Sequence, residues 1–158
     1  MASDNPNYSG CPGIKAKAGT IDHCYIADNY YGVDHTHSIT IGSAIYATAQ
    51  VAIKHCSIFN HAYDAVPVSD LYGVWLGNAN CTISDTIIFG NGHTEGPQND
   101  FGVPTTMAAS KCSNVVTGNH REMFDGYVAY KATADDFVRV GGKWIPKSDS
   151  PAAGCGST

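Results

Sequence analysis

Apolar and polar positions recur along this chain with a period near thirty residues. Ile21-Asp22-His23-Cys24-Tyr25-Ile26-Ala27-Asp28-Asn29 is matched by Ile53-Lys54-His55-Cys56-Ser57-Ile58-Phe59-Asn60-His61. The frame returns as Ile83-Ser84-Asp85-Thr86-Ile87-Ile88-Phe89-Gly90-Asn91, and more weakly over Ser110–Asn119. A short apolar run precedes each copy: Gly13-Ile14-Lys15-Ala16-Lys17, Ala44-Ile45-Tyr46-Ala47-Thr48 and Gly73-Val74-Trp75-Leu76-Gly77. Gly102-Val103-Pro104-Thr105-Thr106 is read as the fourth such run, although it carries a proline. From Cys24 to Cys56 to Thr86 the steps are 32 and 30 residues. No step has helical periodicity, and strands of about 5 residues joined by connections of about 4 to 6 fill it as three strands and their turns. The pattern predicts coils stacked so that each strand pairs in parallel with its counterpart one coil away.

Strand alternation then sets side-chain direction. Cys24 and Ile26, Cys56 and Ile58, and Thr86 and Ile88 are expected to face the core, like over like. Stacked identical side chains pack densely, so these cysteines read first as small buried hydrophobes. The six cysteines are too scattered for a CxxC metal site, while their even count would permit disulfides in an oxidising compartment.

Composition supports many short strands. The chain has 158 residues, enough for one domain, with 43% hydrophobic residues, 15% charged residues and 17 glycines. The net charge is −5, and Arg121 and Arg139 are its two arginines, so the clustered cations of a nucleic-acid binder are missing. No stretch approaches the roughly 18 apolar residues of a membrane span. The first ten residues, MASDNPNYSG, lack the charged head and apolar run of a signal peptide. That leaves a protein retained in the cell, or a mature or excised piece.

On these copies the chain resembles the right-handed parallel β-helix repeat proteins, the pectate-lyase-like superfamily. The tail adds to the resemblance: Asp136-Phe137, then Ser148-Asp149-Ser150-Pro151-Ala152-Ala153-Gly154, is similar to the Asp-Phe … Ser-Pro-Ala-x-x-Gly ending of many such chains. The resemblance covers roughly residues 13–156 and implies an all-β, right-handed parallel β-helix of about four coils with an irregular β cap. Residues 1–12 form a lead-in, 13–120 the coils and 121–158 the capping segment, with Phe124, Phe137, Trp144 and Pro146 as its apolar contacts. Within the cap, Met123–Tyr130 and Asp136–Val140 read as strands, and Gly141-Gly142 as a hairpin turn into Lys143-Trp144-Ile145. Because full-length enzymes of this class have more coils, the chain looks like a C-terminal portion or an unusually small member.

The superfamily holds lyases, hydrolases, isomerases, tailspikes and adhesins, so fold alone does not give function. Alternation places Lys15, Tyr46 and Trp75 in an outer column, with Lys17 and Thr48 one alternation further on. Aromatic platforms suit the C–H faces of sugars, lysine suits an anionic polysaccharide, and the resembled enzymes carry their groove on this face. Tyr46, Trp75 and Thr48 are therefore the substrate-binding candidates. β-Elimination of a uronate needs a base and something to neutralise the carboxylate, so Lys15, Lys17 and His37 are candidates, with Ca²⁺ the cofactor of a lyase. Hydrolysis needs two carboxylates about 5 to 9.5 Å apart, and Asp34, Asp64 and Asp70 are the acids available on neighbouring coils. No metal-ligand set is assigned: His35 and His37 read first as a solvated turn, and His23, His55 and Asp85 as a structural ladder. Polar turn clusters also include His93, Glu95 and Asp100.

Two readings compete. One is a polysaccharide-binding or polysaccharide-cleaving module, outside the cell or on a cell or virion surface. The other is a structural or adhesive element, tailspike-like or fibre-forming, whose bare first coil is covered by a homo-oligomer, end-to-end stacking or further coils upstream. Nucleic acid and membrane are not expected partners.

Overall fold

The computed structural model describes residues 7–10, 13–32, 38–64, 71–93 and 99–157, and over these the chain is all-β with three short 3-10 segments. Strands pair mostly in parallel with strands about thirty residues away. In one sheet Ile14 pairs with Ile45, Ile45 with Val74, and Val74 with Phe101. In a second, Ile21 pairs with Ile53, Ile53 with Ile83, and Ile83 with Cys112. Further along that sheet runs the row Ile26, Ile58, Ile88 and Thr117. A third joins Tyr30–Gly32, Ala62–Asp64 and Gly92–His93. Asn7–Gly10, within the expected lead-in, also pairs in parallel with Ser38–Ala47.

Strand-by-strand register buries one face of the repeats. Ile45, Val74, Ile53, Ile58 and Ile88 are wholly inaccessible and belong to one core cluster. Cys56 and Thr86 are equally buried, and Cys24 is half-buried against the same core. Among the described residues Cys24, Cys56, Cys81, Cys112 and Cys155 are free thiols, and Cys56 and Cys81 donate to backbone carbonyls.

Sharp corners between strands fall at the same place in every repeat. His23, His55, Asp85 and Asn114 all have φ between 45 and 53°, and Asp28 and Asn60 have φ of 56 and 54° one turn later. Left-handed backbone is disfavoured for most side chains, and Asn, Asp and His are among the residues that tolerate it best.

Three expectations need correction. In the fourth repeat Phe101, not Val103, pairs with Val74, and Gly102 pairs with Trp75. Glycine is required there: a Cβ on Gly102 would stand 2.6 Å from both the Trp75 and Tyr72 rings. Met123–Tyr130 is not a strand; Glu122–Tyr127 forms a 3-10 helix whose Phe124 is buried, and only Tyr130–Lys131 pairs, beside Val116 and Thr117.

The third correction concerns the C-terminal segment. Phe137–Val140 and Lys143–Pro146 do form the hairpin, antiparallel across Gly141-Gly142. That hairpin does not close an end of the stack but lies along its flank. Phe137, Ala132, Ala152 and Cys155 pack with Phe59, Ile87 and Val116 in a second apolar cluster. Its ties span successive repeats: Trp144 N–H donates to the Tyr25 hydroxyl, Ser157 N–H to Ser57 Oγ, and Gly156 N–H to the Asp85 carbonyl. The tail motif is self-bracing, because Ser150 Oγ–H donates to Asp136 at 2.8 Å.

Candidate functional site

Two surface regions carry chemistry. The first is the outer column of the first sheet. Lys15 pairs with Tyr46, and Tyr46 with Trp75. Lys15 Nζ stands 5.6 Å from the centre of the Tyr46 ring, in cation–π range. Tyr46 and Trp75 are half-buried. Trp75 stacks on Tyr72 at 4.8 Å, and Tyr72 meets Phe124 edge-on, so the 3-10 helix shields one side of this aromatic group. Lys17 is exposed just past the strand end. Thr48 sits at the edge of the column, but its backbone N–H and hydroxyl both donate to the Ala16 carbonyl, at 2.8 and 3.2 Å. Thr48 therefore fastens two repeats together and presents no free donor to a ligand.

Among the described residues no catalytic set comes together. Asp34, His35, His37, Asp70 and Glu95 lie outside the described residues, as do the side chains of Asp64 and His93. Asp100 is fully buried, and burial pushes its carboxyl up to about 6. It is a fold residue, not a solvent-facing acid.

The second region is the corner row. His23 and His55 stack with ring centres 4.5 Å apart and planes 26° apart. Both Nδ1 atoms converge on one oxygen of Asp22, at 2.8 Å for His23 and 3.1 Å for His55. The hydrogen bond from His55 holds the Asp22 carboxyl below the usual carboxylate range against the opposing effect of burial, and the charge of His23 adds to the lowering. On its other side His55 Nε2 faces Asp85 Oδ2 at 3.7 Å, and Asn114 Nδ2 donates to Asp85 Oδ1 at 2.9 Å. Backbone bonds from His23 N–H to the Lys54 carbonyl and from His55 N–H to the Ser84 carbonyl, both 3.1 Å, hold the corners in step.

His23 also borders a cleft of about 590 Å³ between this row and the C-terminal segment. Tyr25, Lys143, Ile145 and Pro146 line it, with Lys143 Nζ 5.4 Å from the centre of the Tyr25 ring. The repeat pattern reveals the alignment of His23, His55 and Asp85. It does not single out Asp22, since the equivalent positions are Lys54, Ser84 and Ser113. No local signal marks it, because its role depends on the left-handed backbone at His23 and on His55 one repeat away.

No family model, curated protein or solved structure matches this chain.

Proposed function

We propose that this protein is a right-handed parallel β-helix of the pectate-lyase-like kind, whose outer sheet face binds a polysaccharide. The handedness and the family rest on the sequence resemblance, and the stacked parallel repeats are consistent with both. The observation that carries the functional reading is the column of Lys15, Tyr46 and Trp75, paired residue to residue across three repeats and left partly open to solvent. Adjacent strands stand about 4.8 Å apart, which places two aromatic rings within the span of one sugar unit. Lysine at one end favours a chain bearing carboxylates. Whether bond cleavage follows, by elimination or hydrolysis, depends on residues such as Asp34, His37 and Asp70.

The test is a binding panel of acidic and neutral polysaccharides with wild type, Tyr46→Ala and Trp75→Ala. Aromatic contacts contribute on the order of 1 kcal/mol each, so each variant should bind about five- to tenfold more weakly. Tyr46→Ala serves as the cleaner variant, because Trp75 also supports Tyr72. Equal affinity in all three proteins, or no binding to any glycan, would overturn the reading.

A structural or adhesive role is the second reading, and one observation favours it. Ile14, Cys24 and Ile26 in the first repeat are half-buried, whereas Ile45, Cys56 and Ile58 one repeat on are wholly covered. A further layer on that end would complete the burial. Light scattering at micromolar concentration should then report an oligomer, and a monomer would remove the reading.

A further inference from the structure

We propose that Asp22, His23 and His55 form a binding site for a divalent transition ion of the zinc class. Their donor atoms all lie within 4.8 Å of one another. Two imidazoles and one carboxylate are a borderline-soft set that suits zinc, cobalt or nickel, and three protein ligands leave a further position open.

The surroundings match what a metal-bound histidine needs. Such a histidine usually gives its second ring N–H to a carboxylate, which fixes its tautomer and orientation. Asp85 stands close to that position, 3.7 Å from His55 Nε2 and so within reach once the ring turns, and is itself held by Asn114. Without an ion, each Nδ1–H points at Asp22, which accepts from both rings. On binding, both Nδ1 atoms give their lone pairs to the ion. Their protons move to Nε2, and in His55 that new N–H faces Asp85. Asp22 exchanges two hydrogen bonds for one coordinate bond.

The stacked arrangement must also change. An ion lies near the plane of each ring it binds, and planes 26° apart at 4.5 Å do not meet between the two nitrogens. One imidazole therefore turns as the ion enters, and both half-exposed rings have room for this. The open position faces water or an anionic ligand in the cleft that His23 borders.

The experiment is calorimetric titration of chelator-treated full chain with zinc, alongside visible absorption with cobalt. One ion should bind per chain, and the His23 and His55 ring resonances should both shift as the stack opens. His23→Ala and His55→Ala should abolish binding, and Asp85→Asn should weaken it about 10- to 100-fold. The double variant His35→Ala/His37→Ala should bind as wild type does. Because both residues sit at left-handed corners, His23→Asn and His55→Asn, which suit that backbone, should lose zinc as the alanine variants do while unfolding near the wild-type temperature. No uptake by wild type at millimolar zinc would overturn the proposal. So would binding that survives His23→Ala and His55→Ala, or that vanishes in the His35/His37 variant.

Discussion

Asn91 gives both its backbone N–H and its side-chain N–H to one oxygen of Asp100, at 2.8 and 2.9 Å, and neither residue is accessible to solvent. The other oxygen of Asp100 accepts from Gly118 N–H at 2.9 Å and Asn119 N–H at 2.7 Å. Asn91 continues the chain of contacts, accepting from His61 N–H and donating to the Ile58 carbonyl. A single buried carboxylate thus satisfies backbone groups at the turns of two successive repeats, groups that are expensive to leave unpaired.

Asp100 gives the first prediction, a pH dependence. Desolvation raises its carboxyl to about 6, well above the ordinary aspartate range, despite the hydrogen bonds that pull it down. The folded chain therefore holds this proton more tightly than the unfolded one. Its contribution to stability is fully present below about pH 4 and is lost as pH rises to about 6, amounting to roughly 3 kcal/mol. Asp100→Asn should remove that slope. It should also lower stability at neutral pH by about 2 kcal/mol, because an amide cannot accept from four donors. Urea unfolding of both proteins between pH 4 and 7 checks this, and an unchanged slope in the variant would count against it.

Gly102 gives the second. Its position opposite Trp75 leaves no space for a Cβ, which would stand 2.6 Å from the Trp75 and Tyr72 rings. Gly102→Ala should cost about 1 to 3 kcal/mol through forced displacement of those rings. In a Trp75→Ala background that cost should shrink, since one of the two obstructing rings is gone. A double-mutant cycle measures the coupling, and strict additivity would show that the rings do not meet over Gly102.

Thiol chemistry supplies a third. Burial pushes Cys56 and Cys112 up to about 11, so at pH 8 only about one thiol in a thousand is ionised. Iodoacetamide on native protein should leave both unmodified in peptide mapping, while labelling after unfolding should be complete. Rapid native labelling of Cys56 would mean that the second repeat opens readily.

The rows Ile26-Ile58-Ile88 and Lys15-Tyr46-Trp75 were legible because each residue and its partner sit in the same place of a repeated local pattern. The fourth repeat was not, because Pro104 and Gly102 break the apolar run that would have set its register. Pairing Gly102 with Trp75 depends on ring volume, which a hydrophobic pattern does not record. Asp100 looked like a turn acid because its charge is local information and its burial is not. Asp22 is hidden in the sequence for a similar reason. Its value lies in His55, 33 residues away, and in the left-handed backbone at His23. Within the C-terminal segment, Phe137 and Trp144 fit a flank as well as an end, whereas Phe124 does join the main core cluster. The choice was made by Phe59 and Phe89, which leave the outer face of their sheet in need of cover.

That cover supports the last prediction. Phe137 meets Phe59 edge-on at 5.3 Å and Phe89 at 4.8 Å, and is itself almost wholly buried. Phe137→Ala removes the aromatic centre of the second cluster and should cost about 3 to 5 kcal/mol. Loss should begin locally. The hairpin touches the repeats mainly through this cluster and a few hydrogen bonds, such as Trp144 N–H to Tyr25. Trypsin should therefore cut the variant after Lys143 and Lys147, while wild type resists at the same sites. If both proteins are cut equally, the segment is held by something other than Phe137. If neither is cut although global stability falls, the hairpin and the repeats unfold as one unit, and the flank is part of the core rather than a brace upon it.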